Sequence, residues 1–430
     1  MTSESKITLP WGAWLTEEQK TFSVSGNWTV EVAAIAGSDA PEIASPSGSA
    51  FGASDLTAAL AAPIQAPGLQ TLAQGKKTVA IAVEDITRPG QAGPVLEAML
   101  ESLTAAGIEP TSVRVIFALG GHGPMRQHEM TLKVGPKIME QCDVSNHHPY
   151  ENLVDLGTSK SGIPIHINRN FHEADLKLAV GSVVPHPYAG FGGGGKIVLP
   201  GVAGIETLYT NHRPAVTGLS GAGLGVVDGN TARAEMEEIA LAAGLAAVVN
   251  IVPGANREPL GYFYGHPVAA HREAVKLARE VFRTDVTPGA DVAILNAYPK
   301  DGEVLQVGNA FNAYRACDPP LVRDGGTIVI SAACPFGRGY HSLHGPGGRL
   351  YRDPVKRDYL GERELIVFAP DLSTHDVRKS FWPGYPHAKT WDEVQNLINA
   401  RHPEGGRMIV VPTAPLAIPQ TQAAVEGVRS

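Results

Sequence analysis

The stretch 185–212, PHPYAGFGGGGKIVLPGVAGIETLYTNH, concentrates residue types that do chemistry: His186, four consecutive glycines (Gly192 to Gly195), Lys196 directly after them, and His212. A glycine run maximises the backbone entropy lost on folding, so it is expected where side chains would be in the way. Close approach of backbone to a ligand, often a phosphate, is one such reason. The lysine then stands where a ligand's reactive atom reaches it. Gly190, Gly195 and Lys196 satisfy G-x-x-x-x-G-K, but residue 197 is Ile where a P-loop needs Ser or Thr for magnesium. The flanking Phe191, Ile197, Val198 and Leu199 argue against a freely exposed loop.

Two further polar clusters stand at the ends of apolar runs. The run TVAIAV (78–83) reads as a buried parallel strand and leads into Glu84-Asp85-Ile86-Thr87-Arg88-Pro89. The run SVRVIFAL (112–119) leads into Gly120-Gly121-His122-Gly123-Pro124. Open α/β sheets bind ligands at the C-terminal ends of their strands. Two histidines able to serve as base and acid, with an arginine for a carboxylate, suit proton transfer on a hydroxy acid. His147, His148, His172, His266 and His271 read as structural or solvated.

The elements that must position these residues follow from periodicity. Strands are expected at 6–9, 28–32, 175–180, 245–252, 261–264, 291–295, 326–332, 364–368 and 408–411. Helices are expected at 56–61, 94–106, 127–134, 230–244, 267–283, 306–316 and 391–400, with Asn230 as N-cap and Thr390 with Glu393 as a capping box. Residues 37–54 read as a connecting loop. The βα alternation restarts after Thr287-Pro288-Gly289. The expectation is therefore an α/β protein with mostly parallel sheets. A cofactor-binding and catalytic domain spans 1–287, a smaller C-terminal α/β domain spans 288–430, and the active site is expected in the cleft between them.

A net charge of −8 gives no basic field for nucleic acid or an anionic membrane, so small-molecule chemistry is the expectation. The three cysteines, Cys142, Cys317 and Cys334, form neither a zinc spacing nor a disulfide framework, which suits a reducing cytosol. The opening MTSESKITLPWG lacks the apolar core of a signal peptide, and no apolar run approaches the ~20 residues of a membrane span. A cytoplasmic location is expected.

Taken together, EDITRP (84–89), GGHGPM (120–125) and PH…GFGGGGK…PG…NH (185–212) resemble the nickel-dependent lactate racemase family, and the opening ITLPWG extends the likeness to the start of the chain. The resemblance implies a racemase or epimerase that inverts C2 of a 2-hydroxy acid. It implies a nickel pincer nucleotide, a pyridinium-3,5-bisthiocarboxylic acid mononucleotide carrying nickel, joined to Lys196. His212 would be the protein's nickel ligand, and His122 and His186 the acid/base pair. Arg88 would grip the substrate carboxylate, and Asp85, Thr87, Gly193, Gly194 and Gly195 would surround the nucleotide. Gln306 would contact substrate, and Trp391 would line the pocket; read alone, Trp391 is equally a packed aromatic at a helix start.

One departure matters. The family pattern has a lysine at position 309, and this chain has Asn309. Lys300 or Arg315 would then replace the missing cation, or the substrate is a larger or more polar hydroxy acid, such as a sugar acid, rather than lactate. Two other function classes stay open on residues alone. One is a non-catalytic nucleotide- or phosphate-binding protein built on the glycine loop. The other is a zinc hydrolase using His122, His186 and His212, for which no local His spacing speaks.

Overall fold

A computed structural model of the chain describes residues 5–39, 55–217 and 221–421. The chain forms two compact units. The larger comprises Pro41–Glu280 together with His341–Tyr351; the other comprises Met1–Ala40, Val281–Tyr340 and Arg352–Ser430. The division differs from a single cut near residue 287 at the start of the chain and at the internal segment His341–Tyr351. The strand Trp28–Val32 pairs in parallel with Gly406–Val411, which carries the first residues into the C-terminal unit. A short segment after the strand Val322–Ser331 belongs instead to the larger unit.

The larger unit is built on a six-stranded sheet. Its order is Pro259–Gly265, Ala247–Pro253, Leu176–Ser182, Val79–Glu84, Val113–Ala118, Asp143–Asn146. All neighbours are parallel except Pro259–Gly265, which returns antiparallel from Ala247–Pro253. Val79–Glu84 is buried at every position, as its unbroken Val/Ala/Ile run requires when both faces are covered. The helix Ala92–Ala105 lays Val95, Leu96, Met99, Leu100 and Leu103 against the sheet, and Gly107 just beyond it adopts a positive φ. Val79–Glu84, first in the chain, has a later strand on each side. The sheet therefore reverses direction of growth there, and the loops at that switch point are where such sheets bind ligands.

The C-terminal unit has its own all-parallel six-stranded sheet, in the order His387–Ala388, Glu364–Phe368, Val322–Ser331, Ala290–Asn296, Gly406–Val411, Trp28–Val32. The hairpin Ser5–Trp11/Glu18–Val24 packs alternate residues Ile7, Leu9 and Trp11 into this unit's core with Phe368 and Ile398. The ITLPWG segment is anchored there, where Gly12 N–H donates to buried Asp301 Oδ2 at 2.8 Å.

Asn230 caps the helix Thr231–Ala242 and Thr390 with Glu393 forms the capping box, as their sequence positions predict. The helix expected at 306–316 is broken into Val304–Val307, a 3₁₀ turn Gly308–Ala310 and Phe311–Arg315. Asn309 explains the break: its side-chain amide donates to Gln306 O at 2.8 Å, competing with the helical ladder. The helix Ile205–Thr217, which carries His212, was not expected from periodicity. Most of the connecting stretch 37–54 lies outside the described residues. Among the described residues no helix is long and apolar enough to cross a membrane.

Candidate active site

Three loops leave adjacent parallel strands at the same edge of the larger sheet. Asp85, Thr87 and Arg88 follow Val79–Glu84, His122 follows Val113–Ala118, and His186 to Lys196 follow Leu176–Ser182. The sheet order alone makes them neighbours. His122, His186, Lys196 and His212 thus all belong to one unit, whereas Gln306, Asn309 and Trp391 belong to the other.

His122 is held by a carboxylate. Its Nδ1 lies 2.7 Å from Asp85 Oδ2, and Asp85 Oδ1 accepts the Thr87 N–H at 2.7 Å and the Thr87 hydroxyl. Burial pushes the Asp85 carboxyl up, but His122, Arg88 and Thr87 together outweigh it and hold the group well below the usual carboxylate range. Asp85 is therefore ionised, His122 carries a proton on Nδ1, and Nε2 is the basic nitrogen of the neutral ring. Arg88 Nη1 donates to Thr87 Oγ1 at 2.8 Å, which fixes the guanidinium beside this pair. Asp85 and Thr87, grouped with the nucleotide on sequence grounds, are engaged here with His122.

The loop is clamped from beneath by residues the sequence did not single out. Glu84 Oε1 accepts from Gly90 N–H (3.0 Å) and Lys133 Nζ (3.0 Å), and Glu84 Oε2 accepts from Ser182 N–H (2.6 Å) and Oγ (2.7 Å). Lys133, 1% exposed, also donates to the carbonyls of Arg88 (2.9 Å) and Gly90 (2.7 Å). The two ends of the Asp85–Gly90 loop are thereby tied to one buried ammonium. Burial lowers the Lys133 pKa, and Glu84 opposes that shift.

His186 has the opposite tautomer. Its Nδ1 accepts the N–H of Tyr188 (3.2 Å) and of Ala189 (3.1 Å), so the neutral ring carries its proton on Nε2. His212, on the helix Ile205–Thr217, places Nδ1 3.1 Å from Leu208 O, which leaves Nε2 as the nitrogen not engaged by the backbone. Burial and the neighbouring Lys196 lower its pKa to about 3, so the ring is neutral. Lys196 itself is 9% exposed.

The glycine run proves to be shaped by the protein itself. A Cβ on Gly192 would meet Ser182 O at 2.7 Å, one on Gly193 would meet Asn250 Oδ1 at 2.7 Å, and one on Gly195 would meet Met236 O at 3.0 Å. Gly193 also has a φ of 71°, which a residue with a Cβ rarely adopts. Close packing against strands and helices thus accounts for the missing side chains. The loop carbonyls are gripped by two buried side chains. Arg233 donates to Ala189 O, Phe191 O and Gly193 O, and His271 Nε2 lies 2.8 Å from Gly192 O. His147 and His271 are buried and hydrogen-bonded, in keeping with their structural reading. The path from strand Leu176–Ser182 through one short antiparallel strand pair to a 3₁₀ turn is not the strand–loop–helix of a P-loop.

The residues present fit a tethered metal group. Asn250 Oδ1 accepts the Gly194 N–H at 2.8 Å, while its buried Nδ2 lacks a protein partner beside the glycine loop and is available to an acceptor oxygen. Among the described residues no three His, Cys, Asp or Glu side chains converge as a metal cage. A metal at His212 would therefore take its remaining ligands from a bound group.

In the other unit, Asn309 Nδ2 also lies 3.2 Å from Gln306 Oε1, so Asn309 orients Gln306. Trp391 donates Nε1–H to Ser23 O at 2.6 Å and packs on Phe22 and Phe368. Of the two candidate replacement cations, Lys300 is buried on the loop leading to Gln306, whereas exposed Arg315 lies over the Tyr359 ring.

Two histidines that sequence reading passed over complete the picture. The segment His341–Tyr351 lies across the larger unit: Ser342 N–H donates to Gly121 O (2.7 Å), Leu343 enters the core, and Arg349 pairs with Glu206 (2.6 Å) and covers Tyr209. The ring of His341 stands 5.3 Å from that of His122, and a Cβ on Gly121 would meet His341 Cε1 at 2.6 Å. The second glycine of the GGHGPM motif is thus required by a histidine far along the chain. The signal available in sequence was the pair of histidines in GYHSLHGPGG.

Comparison with known proteins finds relatives over most of the chain. The model of the lactate racemase N-terminal domain matches residues 29–224. A lactate racemase from Lactiplantibacillus plantarum is 30% identical over 375 residues, covering 81% of this chain and 87% of that protein. A lactate racemase from Thermoanaerobacterium thermosaccharolyticum is 33% identical over 285 residues, covering 65% of this chain and 66% of that protein. Among solved structures, the lactate racemase apoprotein from Thermoanaerobacterium thermosaccharolyticum shares the fold with a TM-score of 0.73 at 24% identity, over 97% of this chain and 100% of that one. A protein from Thermotoga maritima shares it with a TM-score of 0.64 at 19% identity, over 83% and 97%. By the Lactiplantibacillus match, which runs through more than four-fifths of each protein, the chain belongs to the lactate racemase family.

Proposed function

We propose that the protein is a racemase or epimerase that inverts C2 of a 2-hydroxy acid, with Lys196 and His212 holding a nickel pincer nucleotide. The observation that carries the reading is the pair of imidazoles in opposite tautomers. Asp85 sets His122 with a basic Nε2, and the Tyr188 and Ala189 amides set His186 with a proton on Nε2. Inversion through a planar 2-keto acid needs one group to take the hydroxyl proton and another to return a proton to that oxygen. His122 takes the proton, and Asp85 stabilises the imidazolium that results. His186 would hydrogen-bond that oxygen through Nε2–H, and as an imidazolium, with Nδ1 protonated and released from the Tyr188 and Ala189 amides, it would give up the Nε2 proton and end as the neutral ring. Arg88 holds the carboxylate, so that C2 and its oxygen stay in register with both rings. When bound, the nickel nucleotide supplies a reversible acceptor for the C2 hydrogen and its electron pair, which avoids the unstable carboxylate dianion of simple proton abstraction.

The substrate is a hydroxy acid other than lactate, larger or more polar. The support is Asn309, a neutral residue that orients Gln306 where the family pattern has a cation. The test is protein made in a host that produces the cofactor. Nickel near one equivalent and added mass on the Lys196 peptide are expected, with loss of optical rotation from a single-enantiomer hydroxy acid. Lys196→Ala removes the adduct and turnover together. Inversion that persists in Lys196→Ala, or in nickel-free enzyme, overturns the reading.

A further inference from the structure

The rings of His122, His341, His344 and His212 form a row, with successive centroids 5.3, 4.8 and 6.4 Å apart. The row begins at the acid/base histidine and ends at the proposed nickel ligand. Its two inner members come from the segment His341–Tyr351, which is fixed at both ends of the site. Ser342 bonds to the backbone of Gly121, next to His122, and Arg349 bonds to Glu206 on the helix that carries His212.

The hydrogen-bonding state of each inner ring can be read from its partners. His341 Nδ1 accepts the N–H of Leu343 (3.1 Å) and of His344 (3.3 Å). Two amides pointing at Nδ1 leave the ring proton on Nε2, so His341 is an uncharged donor. His344 donates one ring N–H to Leu350 O. Its other nitrogen, in the neutral ring, is an acceptor, and the side chain is exposed. One donor and one acceptor stand side by side along the line from His122 to His212.

We propose that His341 and His344 form a subsite for a hydroxyl group on the carbon next to C2, so that the substrate is a 2,3-dihydroxy acid or a longer polyhydroxy acid. An alcohol is the group that both accepts from His341 and donates to His344. A second carboxylate has no proton to donate to His344, and a plain alkyl chain makes no hydrogen bond to either ring and gains nothing from the pair. The inference rests on the reading of the site as one that binds a 2-hydroxy acid, and it names the class of that acid.

Glycerate and lactate differ at C3 by a single hydroxyl and form the probe pair. Calorimetric binding to the cofactor-loaded enzyme is expected to favour glycerate by about tenfold or more, the worth of one or two neutral hydrogen bonds. His341→Phe and His344→Phe are each expected to lower the glycerate-to-lactate affinity ratio by about tenfold, and His341→Gln, which keeps an N–H donor, to restore part of it. A wild-type ratio near one overturns the proposal. So does a loss that falls equally on both acids, which would make the pair a support for His122 only. Because the affinity ratio does not depend on whether the bound acid is inverted, the proposed isomerisation can fail while the ratio still follows His341 and His344, and the reverse holds as well.

Discussion

Asp85 Oδ2 lies 2.7 Å from His122 Nδ1, and the two residues come from loops that follow adjacent parallel strands. The contact fixes the tautomer of His122 and supplies a fixed negative charge for the imidazolium formed when it takes a proton. Asp85→Asn should therefore lower kcat by roughly 10²–10⁴-fold with a much smaller change in KM. Steady-state kinetics on the loaded enzyme, with nickel content checked, measure this. Equal losses in kcat and in nickel would instead give Asp85 a role in holding the cofactor.

Lys133 ties Glu84 to the carbonyls of Arg88 and Gly90 without exposure to solvent. Removing one partner of such a buried pair leaves an uncompensated charge, so Lys133→Met should destabilise the protein by about 3–5 kcal/mol. A urea-unfolding cycle with Glu84→Gln is expected to be strongly non-additive. Because the ammonium also holds the Arg88 loop, KM for the hydroxy acid should rise in whatever fraction stays folded.

Gly193 and Gly75 share a positive φ, near 71° and 70°, but differ in surroundings. A Cβ on Gly193 would strike Asn250 Oδ1 and Val183 Cγ2, and one on Gly75 would meet open space. Gly75→Ala should cost about 1 kcal/mol for backbone strain alone, whereas Gly193→Ala should cost roughly 2–4 kcal/mol through the added clash. Paired thermal melts decide it; equal shifts would show that packing around the glycine loop yields easily.

His147 is buried, with Nε2 2.9 Å from Ala203 O and Nδ1 3.2 Å from the Asn168 amide. Burial lowers its pKa to about 4, against an opposing contribution from the Ala203 carbonyl. The unfolded chain then binds more protons than the folded one between pH 6.5 and 4. The stability linked to this group is complete above pH 6.5 and falls as the pH drops toward 4, by up to about 3 kcal/mol. Urea unfolding at pH 7 and pH 5 should show that slope in the wild type and a shallower one in His147→Gln. Parallel slopes would assign the acid sensitivity to other groups.

Much of the site was legible because its parts are local. An apolar β-branched run followed by charged residues marks a buried strand and its C-terminal loop, and this placed Asp85, Arg88 and His122 at one sheet edge before any coordinates. The broken helix at Gln306 was less legible, since Asn309 turns back on Gln306 by a side-chain bond that periodicity does not register. The glycine run was legible as a steric demand, but the atoms that make the demand, Ser182 O, Asn250 Oδ1 and Met236 O, belong to other elements.

The order of residues by itself determined two α/β layers, the loops that bear the reactive groups, and the family to which their motifs point. Tertiary structure decided who meets whom. Setting Val79–Glu84 between Val113–Ala118 and Leu176–Ser182 brings Asp85 to His122 and Ser182 to Glu84; folding His341–Tyr351 onto the larger unit adds two imidazoles to the site. The reason is physical. Strand and helix formation answers to neighbours a few residues away, whereas a buried carboxylate or imidazole takes its charge and tautomer from partners that only the sheet order and the packing of distant segments deliver.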